Sequence, residues 1–494
     1  MKISSRFNFV QQVFALNMFS NLASDKKGTD HELTHDLNTL LQALLANADM
    51  QKFMDNWVVV WGPVVGSYGM DAKNPKREVV TNAMYVAAND KGQYVVAVSA
   101  TNPVSKYGWL VEDFDVRTMV AWKELLEPGI QTEGETVCIS NGTAVGLQHL
   151  LTLRDQTTGT TLIDYLKFTF AQTPHPVTLA VSGHSLGGAQ SSVLALYLDQ
   201  TLHMWNPDRK VVVSAMPTAG ASPGNKAFSD HHSYVMGTRT LRFWNKLDPV
   251  PHGWEPNMVE QVPFLYYPYL QPGALLKGIA AGALSQSLIG SASVPNGGYY
   301  TQLQPQTPPL PGQVGITQTR AFSAAEIVQA IFDIGIDEVL QALKITGEAA
   351  QLIKAQLNVY IEDIANEQTL DELLDELEAY IIGKYGAEGR ALIQILEVLF
   401  LEIENVALFL AQLALQHVTY YPDLMGTANM HALSQAIINN LVNAGALDDS
   451  YTNRMDTMFD PRRGLNLFVK LGEMILKILT PDFLKANGMG QLLS

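Results

Sequence analysis

The chain has 494 residues, 47% of them hydrophobic and 16% charged, with one cysteine and a formal net charge of −16. That acidity argues against a nucleic-acid binder, which needs a basic face to neutralise phosphates, and against an anionic membrane surface as a docking partner. Cys138 stands alone, so an intrachain disulfide is excluded and a cysteine-based metal site is disfavoured.

Met1 to Ala23 carries Lys2 and Arg6 ahead of Phe7, Phe9, Val10, Val13, Phe14 and Leu16, but Asn8, Gln11, Gln12 and Asn17 interrupt any signal-peptide core. The spacing predicts an amphipathic helix, and residues 1–49 read as a helical segment ahead of the main domain. No stretch offers ~20 clean apolar residues, so a soluble protein is expected, cytoplasmic or exported without a cleaved signal.

From about residue 50 to 255, β-type runs alternate with helical ones. Trp57–Val60, Ala83–Ala87, Tyr94–Val98, Val177–Val181, Lys210–Val213 and Leu241–Trp244 read as strands, and the Asn89–Gly92 turn makes a hairpin of the second and third. Gln148–Leu153, Thr161–Ala171 and Leu186–Asp199 read as helices. The alternation predicts a mostly parallel sheet with helices on its faces.

After Pro256 the pattern changes. Residues 262–294, with Phe264 and Tyr266 among their aromatics, are apolar but irregular and read as a cover with Gly and Pro residues as hinges. Residues 295–319 hold five prolines among Gly, Gln and Thr and read as an ordered loop or spacer. Capping boxes at Ser323–Glu326 and Thr369–Glu372 then open helices, and 387–415 reads as one long buried helix. Residues 321–410 contain 17 acidic against four basic side chains, a local balance of −13, so most of the chain's acidity sits in this segment as a cap, a dimer contact or a scaffold.

The chemistry is concentrated at Gly183-His-Ser185-Leu-Gly187, between an apolar strand and a helix. In a G-x-S-x-G turn the serine is held strained at the strand-to-helix junction, where flanking side chains would collide, and its hydroxyl is exposed at the sheet edge. The helix that follows aims backbone N–H groups at a developing oxyanion, Leu186 among them. A serine nucleophile needs a base and an orienting carboxylate, which in such folds follow in the order Ser, Asp or Glu, His. Asp248, in Asn245-Lys-Leu-Asp-Pro-Val-Pro251 just past a strand, suits the acid.

Gly183-His-Ser-Leu-Gly-Gly188, Gly220-Ala-Ser-Pro-Gly-Asn225 and Asn245-to-Pro251 resemble, in order and spacing, three blocks of the class 3 (fungal-type) triacylglycerol lipase family. The resemblance spans about residues 80 to 255 and implies an α/β-hydrolase fold with a Ser-Asp-His esterase site. By it Ser185 is the nucleophile and Asp248 the acid. Thr101, where the family's usual Arg-Gly pair is absent, looks like the oxyanion residue beside Leu186, and Trp109 matches a downstream tryptophan. After Asp248 only His252, His417 and His431 remain. His252 lies too near Asp248 in sequence to face it across the nucleophile, and His417, followed by Tyr420 and Tyr421, resembles the family's histidine segment; His431 is the other candidate.

The resulting organisation is a hydrolase core at 50–255 and 412–494, carrying a lid and acidic helical insertion at 256–411, in which 262–294 would form a lid or acyl-chain wall with Phe264 and Tyr266, beside Trp109, as candidate substrate contacts. The implied function is acylglycerol ester hydrolysis at a lipid–water interface, without metal or organic cofactor. Phospholipase A or lysophospholipase activity, or a non-catalytic interaction protein, are the alternatives.

Overall fold

The computed structural model describes residues 6–24, 26, 28–66, 82–100, 115–126, 136–173, 175–208, 210–314 and 401–460 apart from 403, 404 and 407, with scattered positions between 337 and 383. By contact density the chain divides into one unit of residues 1–258, 285–312 and 417–459, and a second of 259–284, 313–416 and 460–494.

The first unit is built on a five-stranded sheet. Its strands are β1 (Val58–Gly66), β2 (Asn82–Ala88), β3 (Gln93–Val98), β6 (Val177–His184) and β7 (Val211–Thr218), in the order β1-β2-β3-β6-β7. The small pair β4 (Met119–Ala121) and β5 (Cys138–Ser140) lies apart. β1, β2 and β3 pair antiparallel, whereas β3, β6 and β7 pair parallel. Among the described strands the sheet is therefore mixed rather than mostly parallel, because the β2–β3 hairpin and its antiparallel neighbour β1 make up one side of it.

The expected strand at Leu241–Trp244 forms only isolated bridges beside β7. Leu241 N–H reaches Ala215 O, Phe243 N–H reaches Pro217 O and Ala219 N–H reaches Phe243 O. The rung that would return from residue 217 is missing because proline has no N–H, so the ladder breaks there.

Alternation along the strands feeds two cores. Ala83, Tyr85, Ala87, Val95, Ala97 and Ala180 face one, and Met84, Val86, Val96, Val98, Leu179 and Val181 face the other. Small alanines on the first face let α1 (Phe9–Phe19) lie close against the sheet, with α2 (Asp30–Ala46) in the same core and the short α3 (Met50–Phe53) after it. The second face carries α4 (Asn141–Thr152), α5 (Leu162–Ala171), α6 (Leu186–Gln200), α7 (Leu202–Trp205) and α8 (Lys226–Met236). α4 begins seven residues before the helix expected at Gln148, with Ser140 accepting from Thr143 N–H as its cap.

α1 is a helix as expected, but buried where its polar residues suggested an amphipathic one. Residues 12 to 19 are all buried, and Gln12 satisfies both ends of its amide inside, donating to Phe7 O at 2.8 Å and accepting from Trp57 Nε1 at 2.8 Å. Asn8 and Gln11 instead form the capping box that starts the helix. A polar residue paired internally mimics a solvated face in sequence.

Residues 295–312 form the ordered loop, not the spacer, of the two that their composition allowed. Trp244 Nε1 donates to Thr307 O at 3.0 Å, Leu310 N–H to Trp244 O at 2.7 Å and Ser229 Oγ to Gln302 O at 2.8 Å, so this loop braces the segment that leads to Asp248.

The short α9 (Pro256–Val259) precedes the expected lid. That region is less irregular than it reads: α10 (Ala274–Ala292) runs through the proline-free, Ala- and Leu-rich stretch between Pro272 and Pro295. Within the second unit, Glu402 caps the start of α10 by accepting Leu275 N–H at 2.9 Å, and Tyr266 is buried against Phe409 with ring centroids 4.8 Å apart. The capping boxes at 323 and 369, and most of the long helix expected at 387–415, lie outside the described residues, as does the core expected at 461–494. Among the described residues no helix is long and apolar enough to cross a membrane.

The last described helices are α11 (Tyr421–Leu424), α12 (Met430–Asn443) and α13 (Arg454–Phe459), which pack into the first core.

Candidate active site

β3, β6 and β7 end level with one another, Val98 pairing with Gly183 and His184 with Thr218. Ligands of open α/β sheets collect at this C-terminal edge. Here β6 passes into α6 through Ser185, whose φ of 60° and ψ of −125° are strained for a residue with a Cβ. The turn is held by Ser185 N–H on Thr218 O at 3.0 Å and by Gly188 N–H on Ser185 O at 2.8 Å.

The glycines are required by proximity. A Cβ on Gly187 would lie 2.5 Å from Ser99 O and 2.6 Å from Val98 O, and one on Gly183 would meet the Gly187 carbonyl. Gly187→Ala is therefore expected to cost about 1–3 kcal/mol through forced displacement of the β3 end, measured by denaturant unfolding. Ser185 is half-buried, and Leu186 opens the first turn of α6, where N–H groups have no intrahelical partner.

Asp248 is fully buried on the loop after the bridged segment. Its Oδ1 accepts Val250 N–H at 3.0 Å; its Oδ2 accepts from Tyr421 Oη at 3.0 Å and pairs with His417 Nδ1 at 2.8 Å. Three donors offset the desolvation of the buried carboxylate. With Nδ1 donating to Asp248, Nε2 of His417 is the ring's free acceptor. His417 and Asp248 are 169 positions apart and meet within the first unit.

His417 lies in a π-helical turn, Leu415–Thr419. Such widened turns recur at functional sites. Tyr421, one turn on, also accepts Asn245 N–H at 3.0 Å, so its hydroxyl ties the acid loop to the histidine segment. Burial, then the Asp248 charge, hold that hydroxyl's pKa well above its ordinary value, keeping it a donor. His184, next to Ser185, packs its ring 4.8 Å from that of His417 and 5.0 Å from that of Tyr421. Burial, followed by the neighbouring His417, holds the His184 pKa well below normal, so it is a neutral packing partner.

The other histidines sit elsewhere. His252 pairs through Nδ1 with the Asp248 backbone carbonyl at 2.8 Å, not with its carboxylate. His431 Nε2 pairs with Asp456 at 2.7 Å, with its ring against Phe459. Arg242 stacks over Trp244 at 4.9 Å, and burial lowers its pKa to about 10, which leaves it charged at neutral pH.

Thr101 and Trp109 lie outside the described residues. Phe264 is exposed and Tyr266 buried, both in the second unit. Among the described residues no group of three His, Cys, Asp or Glu side chains is placed to hold a metal. The role of Tyr421 was not read from the sequence; its signal is the four-residue step from His417, which puts both side chains on one side of a helical turn.

A class 3 lipase family model matches residues 119–257. Among solved structures, M37 lipase is 28% identical, covers 63% of this chain and 86% of its own, and superposes with a TM-score of 0.52. A triacylglycerol lipase from Penicillium expansum is 21% identical, with coverage of 46% and 75% and a TM-score of 0.28. The lipase from Rhizopus microsporus var. chinensis is 15% identical, with coverage of 50% and 70% and a TM-score of 0.31. These last two are too slight to bear on the argument. No curated protein matches the chain. Over the matched stretch the chain resembles the class 3 lipases, and its mixed sheet flanked by helices is that of an α/β-hydrolase.

Proposed function

We propose that this chain, which carries a class 3 lipase region, is a serine carboxylester hydrolase acting on acylglycerols, with Ser185 as nucleophile, His417 as base and Asp248 as its orienting acid. The observation that carries the reading is the buried 2.8 Å pairing of His417 Nδ1 with Asp248, its ring packed on His184 beside the strained Ser185.

In this reading His417 Nε2 takes the Ser185 proton as Oγ attacks the ester carbonyl, and Asp248 stabilises the imidazolium. The tetrahedral oxyanion accepts hydrogen bonds from Leu186 N–H and from Thr101. Collapse expels the alcohol with the proton from His417, and water then attacks the acyl-enzyme through the same base. Nothing in the sequence requires a metal or organic cofactor, and neutral lipid esters at a lipid–water interface fit the acidic chain better than anionic ones.

A serine-directed phosphonate is expected to label Ser185 in step with loss of tributyrin hydrolysis. Undiminished turnover after full labelling, or labelling at another residue, would overturn the assignment. Tyr421→Phe removes one hydrogen bond to a buried charge and is expected to lower kcat by roughly ten- to a hundredfold with KM little changed, in steady-state assays on a soluble ester.

A further inference from the structure

The turn that follows α1 reaches the exit of β3. Asn21, buried, places Oδ1 on Ala100 N–H at 2.7 Å, while its Nδ2 donates back to Asn17 O at 3.2 Å. The side chain is therefore held at both ends. Arg454 of α13, fully buried, grips the same turn from the other side: Nε donates to Leu22 O at 2.8 Å, and Nη2 to Ser24 O at 2.6 Å and Asn21 O at 3.2 Å. A guanidinium on the carbonyls beyond a helix C-terminus is favourable both as charge-assisted hydrogen bonding and against the helix dipole.

Ala100 follows Ser99, whose Oγ accepts Ala83 N–H at 2.8 Å and whose carbonyl lies directly against Gly187 in the first turn of α6. An unbroken run of contacts thus leads from Arg454 through Asn21 and Ser99 to the turn that carries Ser185. Asn21 and Arg454 both lie outside the stretch matched by the class 3 lipase model.

We propose that Asn21 is a positioning residue for ester hydrolysis, its side chain setting the backbone at the exit of β3 against the Ser185 turn, with Arg454 as its anchor. The inference rests on the serine-esterase reading above. The β3 exit leads directly to Thr101, assigned by resemblance to the oxyanion hole, and a misplacement of about 1 Å in such machinery costs on the order of a hundredfold in rate. Asn21 acts through that backbone and touches no reacting atom.

The test reads kcat per phosphonate-titrated active site on a soluble ester, so that any unfolded fraction is divided out. Asn21→Ala removes the acceptor and is expected to lower this kcat by about tenfold or more with KM within about twofold. Asn21→Asp keeps the acceptor for Ala100 N–H but turns a second oxygen on Asn17 O in place of the Nδ2 donor, and is expected to recover only part of the loss. A kcat per site within about twofold of wild type in Asn21→Ala overturns the proposal, as does a loss that appears in KM with kcat unchanged. Should the alanine variant fail to fold, Asn21→Ser, too short to reach Ala100, is expected to show the same fall, and an unchanged kcat there overturns the proposal equally. Ser185→Ala separates the two readings: turnover retained by it defeats the esterase assignment, whereas its inactivity beside an unimpaired Asn21→Ala defeats only the positioning role.

Discussion

Ser185→Ala is expected to lower ester hydrolysis by a factor on the order of 10⁵ to 10⁶, to the rate left by binding and oxyanion stabilisation alone. The loss follows from chemistry rather than folding. The residue keeps its Cβ and its φ of 60°, and its hydroxyl has no hydrogen bond that holds the turn, which is fixed by backbone bonds to Thr218 and Gly188. Thermal unfolding of the variant should therefore match wild type while kcat on p-nitrophenyl butyrate or tributyrin collapses. Activity within tenfold of wild type would remove Ser185 from the mechanism and with it the serine-esterase reading.

Asp248→Asn is expected to lower kcat by about 10³ to 10⁴ with a smaller effect on stability. The amide has nearly the carboxylate's volume, but all three of its protein partners are donors: Val250 N–H on one oxygen, His417 Nδ1–H and Tyr421 O–H on the other. An NH₂ placed toward Val250 opposes one donor. Placed toward His417 it opposes two, unless the imidazole changes tautomer and presents a proton, instead of a lone pair, to Ser185. Either way the negative charge that stabilises the imidazolium is gone. Asp248→Ala is the harsher change, leaving three buried donors without an acceptor at about 1–3 kcal/mol each, and should show in unfolding as well as in rate. A kcat for the asparagine variant within tenfold of wild type would set Asp248 aside as the acid.

The parts of this molecule that were legible in the sequence are those decided by near neighbours. Five of six apolar, β-branched or aromatic runs bounded by turn residues are strands, because burial in a sheet between two helical layers demands such runs. The sixth, Leu241–Trp244, is interrupted by the absent N–H of Pro217, a residue on a different strand. The G-x-S-x-G turn is local in its first glycine, which the Gly187 carbonyl requires, and in the strained serine, whereas Gly187 itself answers to the Val98 and Ser99 carbonyls at the exit of β3. By contrast, the polar residues of α1 carry no mark that Gln12 bonds Phe7 and Trp57 inside the core instead of facing water.

The sequence by itself determined the strand-turn-helix that presents Ser185, the loop that carries Asp248 and the confinement of most of the negative charge to residues 321–410, since steric fit, turn chemistry and charge are properties of adjacent residues. Only the tertiary structure decided that α1 and α2 belong to the sheet's core, that residues 295–312 brace the Asp248 segment, and that Tyr421 joins His417 on the same carboxylate. Those are pairings across 45 to 433 positions, as from Trp57 to Gln12 or from Arg454 to Asn21. A buried polar group needs a partner, and which partner it finds is set by the folded topology rather than by its place in the chain.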